Sequence, residues 1–215
     1  MLDFELPAQD ARPLRLAREL ELGAVVLLLY RGASSPYCAA QLVELARLYD
    51  DFRTAGAEIL GLSEDGVAAS AALTELLSLP FPLLSEPSAA LLAAFGAREA
   101  DELGGRVRPT TIVLEPNGLE AYRFESRDEA DRPVGADVLD AVRALALPPR
   151  ELRSGLHPRV PPEPAPDVYR LDELATYLRG AAGAARALYE RSGSEDAERV
   201  WRMAARYADT LEGRT

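Results

Sequence analysis

Apolar and polar positions alternate in blocks through the first two thirds of the chain. "AVVLLLY" (24–30) has no polar position and reads as a strand buried on both faces. "YCAAQLVELARLYDDFRTAG" (37–56) follows with apolar residues at 38, 42, 45, 49 and 52, a four-three spacing that predicts one helix. "AEILGL" (57–62) is the next strand, which makes a βαβ unit. A helix is expected over 66–79, a short strand at "FPLL" (81–84) and a helix over 87–96 closed by Gly96. "TTIVL" (110–114) and "LEAYRF" (119–124) flank Asn117-Gly118, the pair favoured in a two-residue type I′ hairpin. A last helix over 135–147 completes a mixed sheet, parallel with an antiparallel edge.

The pattern then changes. Residues 148–166 hold seven prolines in 19 positions, too many for a helix or a central strand, and read as a semi-rigid connector. Beyond it, Leu171, Leu174, Leu178, Ala181, Ala185 and Leu188 form one helical stripe; Val200, Trp201, Ala204, Ala208 and Leu211 form another. The chain therefore divides into an α/β domain (1–147), a proline-rich linker (148–166) and a helical hairpin (167–215). Two such helices bury little alone, so the hairpin must dock on something. It can dock back over its own α/β domain or onto a second copy; its balanced charge favours pairing with its twin, and we expect a homodimer formed through the hairpin.

Composition narrows the function. The chain has 215 residues, 48% of them hydrophobic, as expected of a globular protein. All 24 basic residues are Arg. The net charge of −11 lies entirely in residues 1–147, with 13 Arg against 24 acids, whereas 148–215 has 11 of each. An acidic domain argues against nucleic acid or an anionic membrane as partner. One cysteine and one histidine, His157, cannot form a disulfide or a typical zinc site, so no metal and no cofactor is expected. "MLDFELPAQD" lacks the basic and apolar segments of a signal peptide, which points to a cytoplasmic protein with a reduced thiol.

That thiol is the candidate chemistry. In "YRGASSPYC" (30–38), Ser35 is a good N-cap, Pro36 suits the first helical position, and Cys38 falls in the first turn. There the helix dipole and free N–H groups favour a thiolate, so its pKa is expected below about 8.5 with the sulfur partly exposed. The same residue also stands on the apolar face of its own helix, where a cysteine is often an inert core residue. Local pattern leaves both readings open.

The order of "FELP" (4–7), "VVLLLYRGASSPYCAAQL" (25–42), "GAEILGLSED" (56–65), "FPLLSEPSAALLAAFGA" (81–97) and "RPTTIVLEPNG" (108–118) resembles the peroxiredoxins, thioredoxin-fold thiol peroxidases. The likeness spans about two thirds of the chain and is closest to the branch with "YRGxWCPYC". It implies a thioredoxin-like mixed sheet flanked by helices, with the C-terminal helical hairpin as an addition. The family pattern PxxxTxxC ends on Cys38 as peroxidatic cysteine, puts Ser35 at the threonine that orients peroxide, and puts Arg31 where the proline stands. Gln41 takes the place of a usual glutamate, and with Arg31 and Pro109 it is implied to help orient the substrate. The family's arginine before a late strand falls on Arg108, implied to face Cys38, and Pro109 would be a cis-proline beside it. Ser34 and Ser35 replace the Trp and Cys of the branch, which removes the second thiol needed to resolve a disulfide internally.

The resemblance thus implies a one-cysteine thiol peroxidase that reduces hydrogen peroxide or organic hydroperoxides through a sulfenic acid. An external thiol, thioredoxin-like or of low molecular weight, would recycle it. The alternatives are a redox-inactive thioredoxin-fold scaffold and a protein that exchanges mixed disulfides with clients.

Overall fold

The computed structural model describes residues 3–98, 107–127, 130–151 and 171–213. His157 and nearly all of the proline-rich connector lie outside them. Five strands form one sheet in the order β5-β4-β3-β6-β7, comprising β3 (Ala24–Leu29), β4 (Ala57–Leu62), β5 (Leu83–Leu84), β6 (Thr110–Leu114) and β7 (Glu120–Glu125). β3 runs parallel to β4, with Ala24 opposite Ala57, and antiparallel to β6, with Leu29 opposite Thr110. All six residues of β3 are buried, as the absence of polar positions demands of a central strand. A small antiparallel pair, β1 (Glu5–Pro7) and β2 (Pro13–Arg15), precedes the sheet.

Two cores sandwich the sheet, and side-chain parity assigns residues to them. Ala24, Val26, Leu28 and Tyr30 face α2 (Pro36–Arg47), α3 (Tyr49–Thr54), α4 (Val67–Leu77) and α6 (Gly135–Arg143). Val25, Leu27 and Leu29 face α1 (Leu16–Glu21), α5 (Ala89–Ala94) and the N-terminal pair.

Some local expectations change. The single helix expected over 37–56 breaks at Leu48 into α2 and α3, because Leu48 leaves helical geometry (φ −95°, ψ 4°). The hairpin before β7 is not type I′: Gly118 has φ +81°, whereas Asn117 does not have positive φ. Its turn spans Glu115–Gly118, closed by the Gly118 N–H donating to Glu115 O at 2.8 Å, with Pro116 fixing a negative φ at the second position.

The tail forms α7 (Leu171–Ser192) and α8 (Glu195–Glu212), the latter capped by Ser194 Oγ accepting from the Ala197 N–H. The hairpin does not stand away from the sheet domain. Leu174, Leu178, Ala182, Ala204, Tyr207, Ala208 and Leu211 are buried in a third cluster with Tyr37 and Ala40 of α2 and Ala130. Tyr37 and Tyr207 meet edge to face at 5.9 Å. Burying each large side chain is worth about 1.5–3 kcal/mol, so this contact meets the need for docking within one chain.

Candidate active site

The site begins in the loop that joins β3 to α2. Gly32 has φ +120°, and a Cβ there would come within 2.7 Å of the Asp65 carboxylate. Only glycine fits. The Asp65 carboxylate accepts the Ala33 N–H at 2.8 Å and pins the loop to the end of β4. Ser35, in extended geometry, then caps α2: its Oγ accepts the Cys38 N–H at 3.3 Å, with Pro36 in the first turn. The predicted start of this helix is therefore the observed one.

Cys38 itself is fully buried, which corrects the expectation of a partly exposed sulfur. The physical reason is the helical spacing: Cys38 shares the face of α2 that carries Leu42 and Leu45 into the sheet. Yet its surroundings are not wholly apolar. Arg132, 2% exposed, directs Nη2 at Cys38 Sγ from 3.5 Å. Its Nη1 donates to Asp131 O at 2.8 Å and Ser126 Oγ at 3.3 Å, while Nε is buried without an acceptor. The Asp131 carboxylate turns instead to Arg127. Of the three described groups that the Arg132 fork touches, two are neutral oxygens and one can carry negative charge: the sulfur. Tyr30 lies in the same core layer, and burial pushes its phenol well above the ordinary value, so it stays neutral.

The arginine expected at the sulfur was Arg108. It is elsewhere: Arg108 is part exposed, and Nη1 lies 3.6 Å from Glu125 Oε2. Parity in β6 explains the correction. Thr111 and Val113 face α2, whereas Ile112 lies in the opposite core, so even-numbered residues of this strand point away from Cys38. The Arg108–Pro109 bond is not cis, and no cis peptide occurs among the described residues. Pro109 O accepts the Ser126 N–H at 2.9 Å, which ties the start of β6 to the loop that carries Arg132.

The remaining expected residues tie neighbouring elements together. Gln41 is buried and donates from Nε2 to Thr111 Oγ1 at 3.2 Å, joining α2 to β6. Arg31 donates from Nε to Val107 O at 3.1 Å. Arg132 was missed because "SRDEADRPVG" (126–135) reads as a polar loop, and nothing local distinguishes this arginine from the 23 others. The Asp-Arg-Pro step just before the last helix of the domain is the only signal, and it is weak. Among the described residues no cluster of His, Cys, Asp and Glu could hold a metal ion.

The model of the AhpC/TSA family matches residues 1–122. The chain belongs to the AhpC/TSA family. Among its relatives is a Mycobacterium tuberculosis protein whose name places it with the peroxiredoxins, 34% identical over 147 residues, 66% of this chain and 94% of that one. Peroxiredoxin Q of Oryza sativa subsp. japonica is 29% identical over 133 residues, 62% of this chain and 60% of that protein. The crystal structure of peroxidoxin BcpB from Mycobacterium tuberculosis superposes with a TM-score of 0.60 at 30% identity, covering 67% of this chain and 94% of the other. Peroxiredoxin Q of Xanthomonas campestris gives a TM-score of 0.59 at 25% identity, covering 67% and 92%. The family match ends within β7, so Arg132 and the hairpin lie beyond it.

Proposed function

We propose that this AhpC/TSA-family chain is a one-cysteine thiol peroxidase acting through Cys38, with Arg132 as its electrostatic partner. The observation that carries this reading is a buried guanidinium that faces a thiol and pairs with no carboxylate among the described residues. Burying a cation away from any described carboxylate is costly, and the sulfur 3.5 Å away is the group it faces on which negative charge can develop during reaction. The sulfur attacks one oxygen of ROOH, the O–O bond breaks, and Cys38 becomes Cys–SOH. The RO⁻ fragment takes a proton and leaves as alcohol or, for hydrogen peroxide, water. Arg132 stabilises charge shifting from sulfur to the leaving oxygen, with its unpaired Nε available to that oxygen. Ser35 Oγ already accepts the Cys38 N–H, which leaves its own proton to donate to the peroxide.

Gln41, Arg31 and Pro109 act through the backbone and strands they hold, not on the peroxide. A first external thiol R′SH then condenses with the sulfenic acid to Cys38–S–S–R′ and water, and a second releases R′SSR′ and restores the thiol. The reductant is thioredoxin-like or a small thiol; the chain has no second cysteine of its own. A cytoplasmic setting suits this cycle. No helix among the described residues is long and apolar enough to cross a membrane.

Stopped-flow mixing with hydrogen peroxide and an alkyl hydroperoxide, with mass detection of one added oxygen on Cys38, tests the reading. One equivalent of peroxide consumed per Cys38 is expected. A thiol that stays reduced in excess peroxide would establish the scaffold alternative. The homodimer expectation now rests on the outer face of the hairpin, where Tyr177, Leu188, Val200 and Met203 are exposed, and light scattering of the full chain decides it.

A further inference from the structure

The segment that carries Arg132 has two sides, and each meets a different part of the molecule. Inward, Arg132 reaches Cys38. Outward, Ala130 is fully buried in the cluster formed by Tyr37, Leu178 and Tyr207. The described residues of the segment take part in no strand pairing. It is held at one end by the Ser126 N–H on Pro109 O, and internally by Ser126 Oγ donating to Asp131 O at 2.5 Å. At the other end the Gly135 N–H donates to Glu44 Oε1 at 2.8 Å. Between these ties, the large described side chains clustered with Ala130 belong to the hairpin and to Tyr37, the residue next to Cys38.

We infer that the α7–α8 hairpin is a clamp: by packing Tyr207 and Leu178 against Tyr37 and Ala130, it holds Arg132 on Cys38 and so sets the reactivity of the thiol. Tyr207 is thus a positioning residue, acting through Ala130 and Arg132. The reason is geometric. Only Asp131 stands between Ala130 and Arg132, so loss of the outer packing of Ala130 lets the guanidinium retreat, and a displacement of about 1 Å in such a group can cost up to about a hundredfold in rate. This inference rests on the Cys38–Arg132 reading above but does not require that the substrate be a peroxide.

The test uses the full chain and a readout free of peroxide, the second-order rate of Cys38 alkylation by iodoacetamide. Tyr207→Ala is expected to slow alkylation by about tenfold or more, and Tyr207→Phe, which keeps the ring contact with Tyr37, to restore it. In the Arg132→Met background Tyr207→Ala should have no further effect, since both changes remove the same contact. Independent, additive effects would overturn the clamp. So would faster alkylation in Tyr207→Ala, which would make the hairpin a cover that blocks access. Amide exchange at β3 and β4 reports whether the sheet survives; where Tyr207→Ala opens it, Leu178→Val runs the same cycle with a smaller perturbation. Normal alkylation coupling with no peroxide turnover would leave the clamp standing and remove the peroxidase reading.

Discussion

Among the described residues three arginines are buried, and they differ in what they face. Arg53 Nη1 lies 2.9 Å from Glu58 Oε2, and Glu58 Oε1 also accepts from Tyr49 and from the Ile59 N–H. Arg150 pairs with the Glu19 carboxylate and donates to Glu19 O at 2.8 Å, fastening the start of the connector to α1. Arg132 has the same depth but faces a sulfur. An unpaired Nε does not separate them, because Arg53 has one too. The anion does. A carboxylate is charged in every ordinary condition and makes a fixed brace, whereas a thiol becomes charged only as it becomes reactive. The same cation therefore serves structure in two pockets and chemistry in the third.

The largest effect that sharpens this contrast is complete: Cys38→Ser should reduce peroxide consumption to the rate of buffer alone while leaving the melting transition in place. Next, Glu58→Ala strands Arg53 as a buried, uncompensated charge and should cost about 3–5 kcal/mol of stability by urea denaturation. The fraction that remains folded should react with peroxide at the normal rate. If Glu58→Ala is silent, the Arg53 pocket is not the brace we describe.

Arg132→Met inverts that pattern. Oxidation of Cys38 in stopped flow should slow by about 10²–10³-fold, the scale for losing one preorganised donor. Stability should fall by no more than about 1 kcal/mol, since no charge is left behind in the core. Arg108→Met, at its exposed pair with Glu125, should leave the oxidation rate unchanged. Equal losses for Arg108 and Arg132 would dissolve the distinction between the two arginines.

The smallest effect lies in the hairpin. The Arg179 guanidinium holds the Glu212 carboxyl below its ordinary value of 4.5, with Asp209 on the same arginine. A folded value below the unfolded one means that the pair stabilises above 4.5 and loses its effect as pH falls through the folded value. Thermal melts should therefore show no contribution from this pair to pH dependence above that value and a small loss in acid, which Glu212→Gln removes.

Much of the fold was legible from periodicity. The unbroken apolar run at 24–29 identified the central strand, and Ser35-Pro36 identified the start of α2, because each rests on interactions within a few residues. The short strands β1 and β2, and the break at Leu48, were not legible, since tertiary packing decides them. At the site, the nucleophile was readable and its partner was not. Cys38 is the sole cysteine and follows a strand and a helix cap. Arg132, 94 positions away, meets it only once β7 turns back toward α6.

The sequence by itself determined the order of the five sheet strands, the capped helix that carries Cys38, the lack of an internal resolving thiol, and two amphipathic tail helices that had to be covered. These are local or compositional properties, and local physics suffices to read them. The tertiary structure alone decided how deep the sulfur lies, which arginine reaches it, and that the hairpin packs on its own α2. Strand parity turns Arg108 away, and the loop after β7 brings Arg132 in. Both outcomes depend on contacts between residues far apart in the chain, which no run of neighbouring residues encodes.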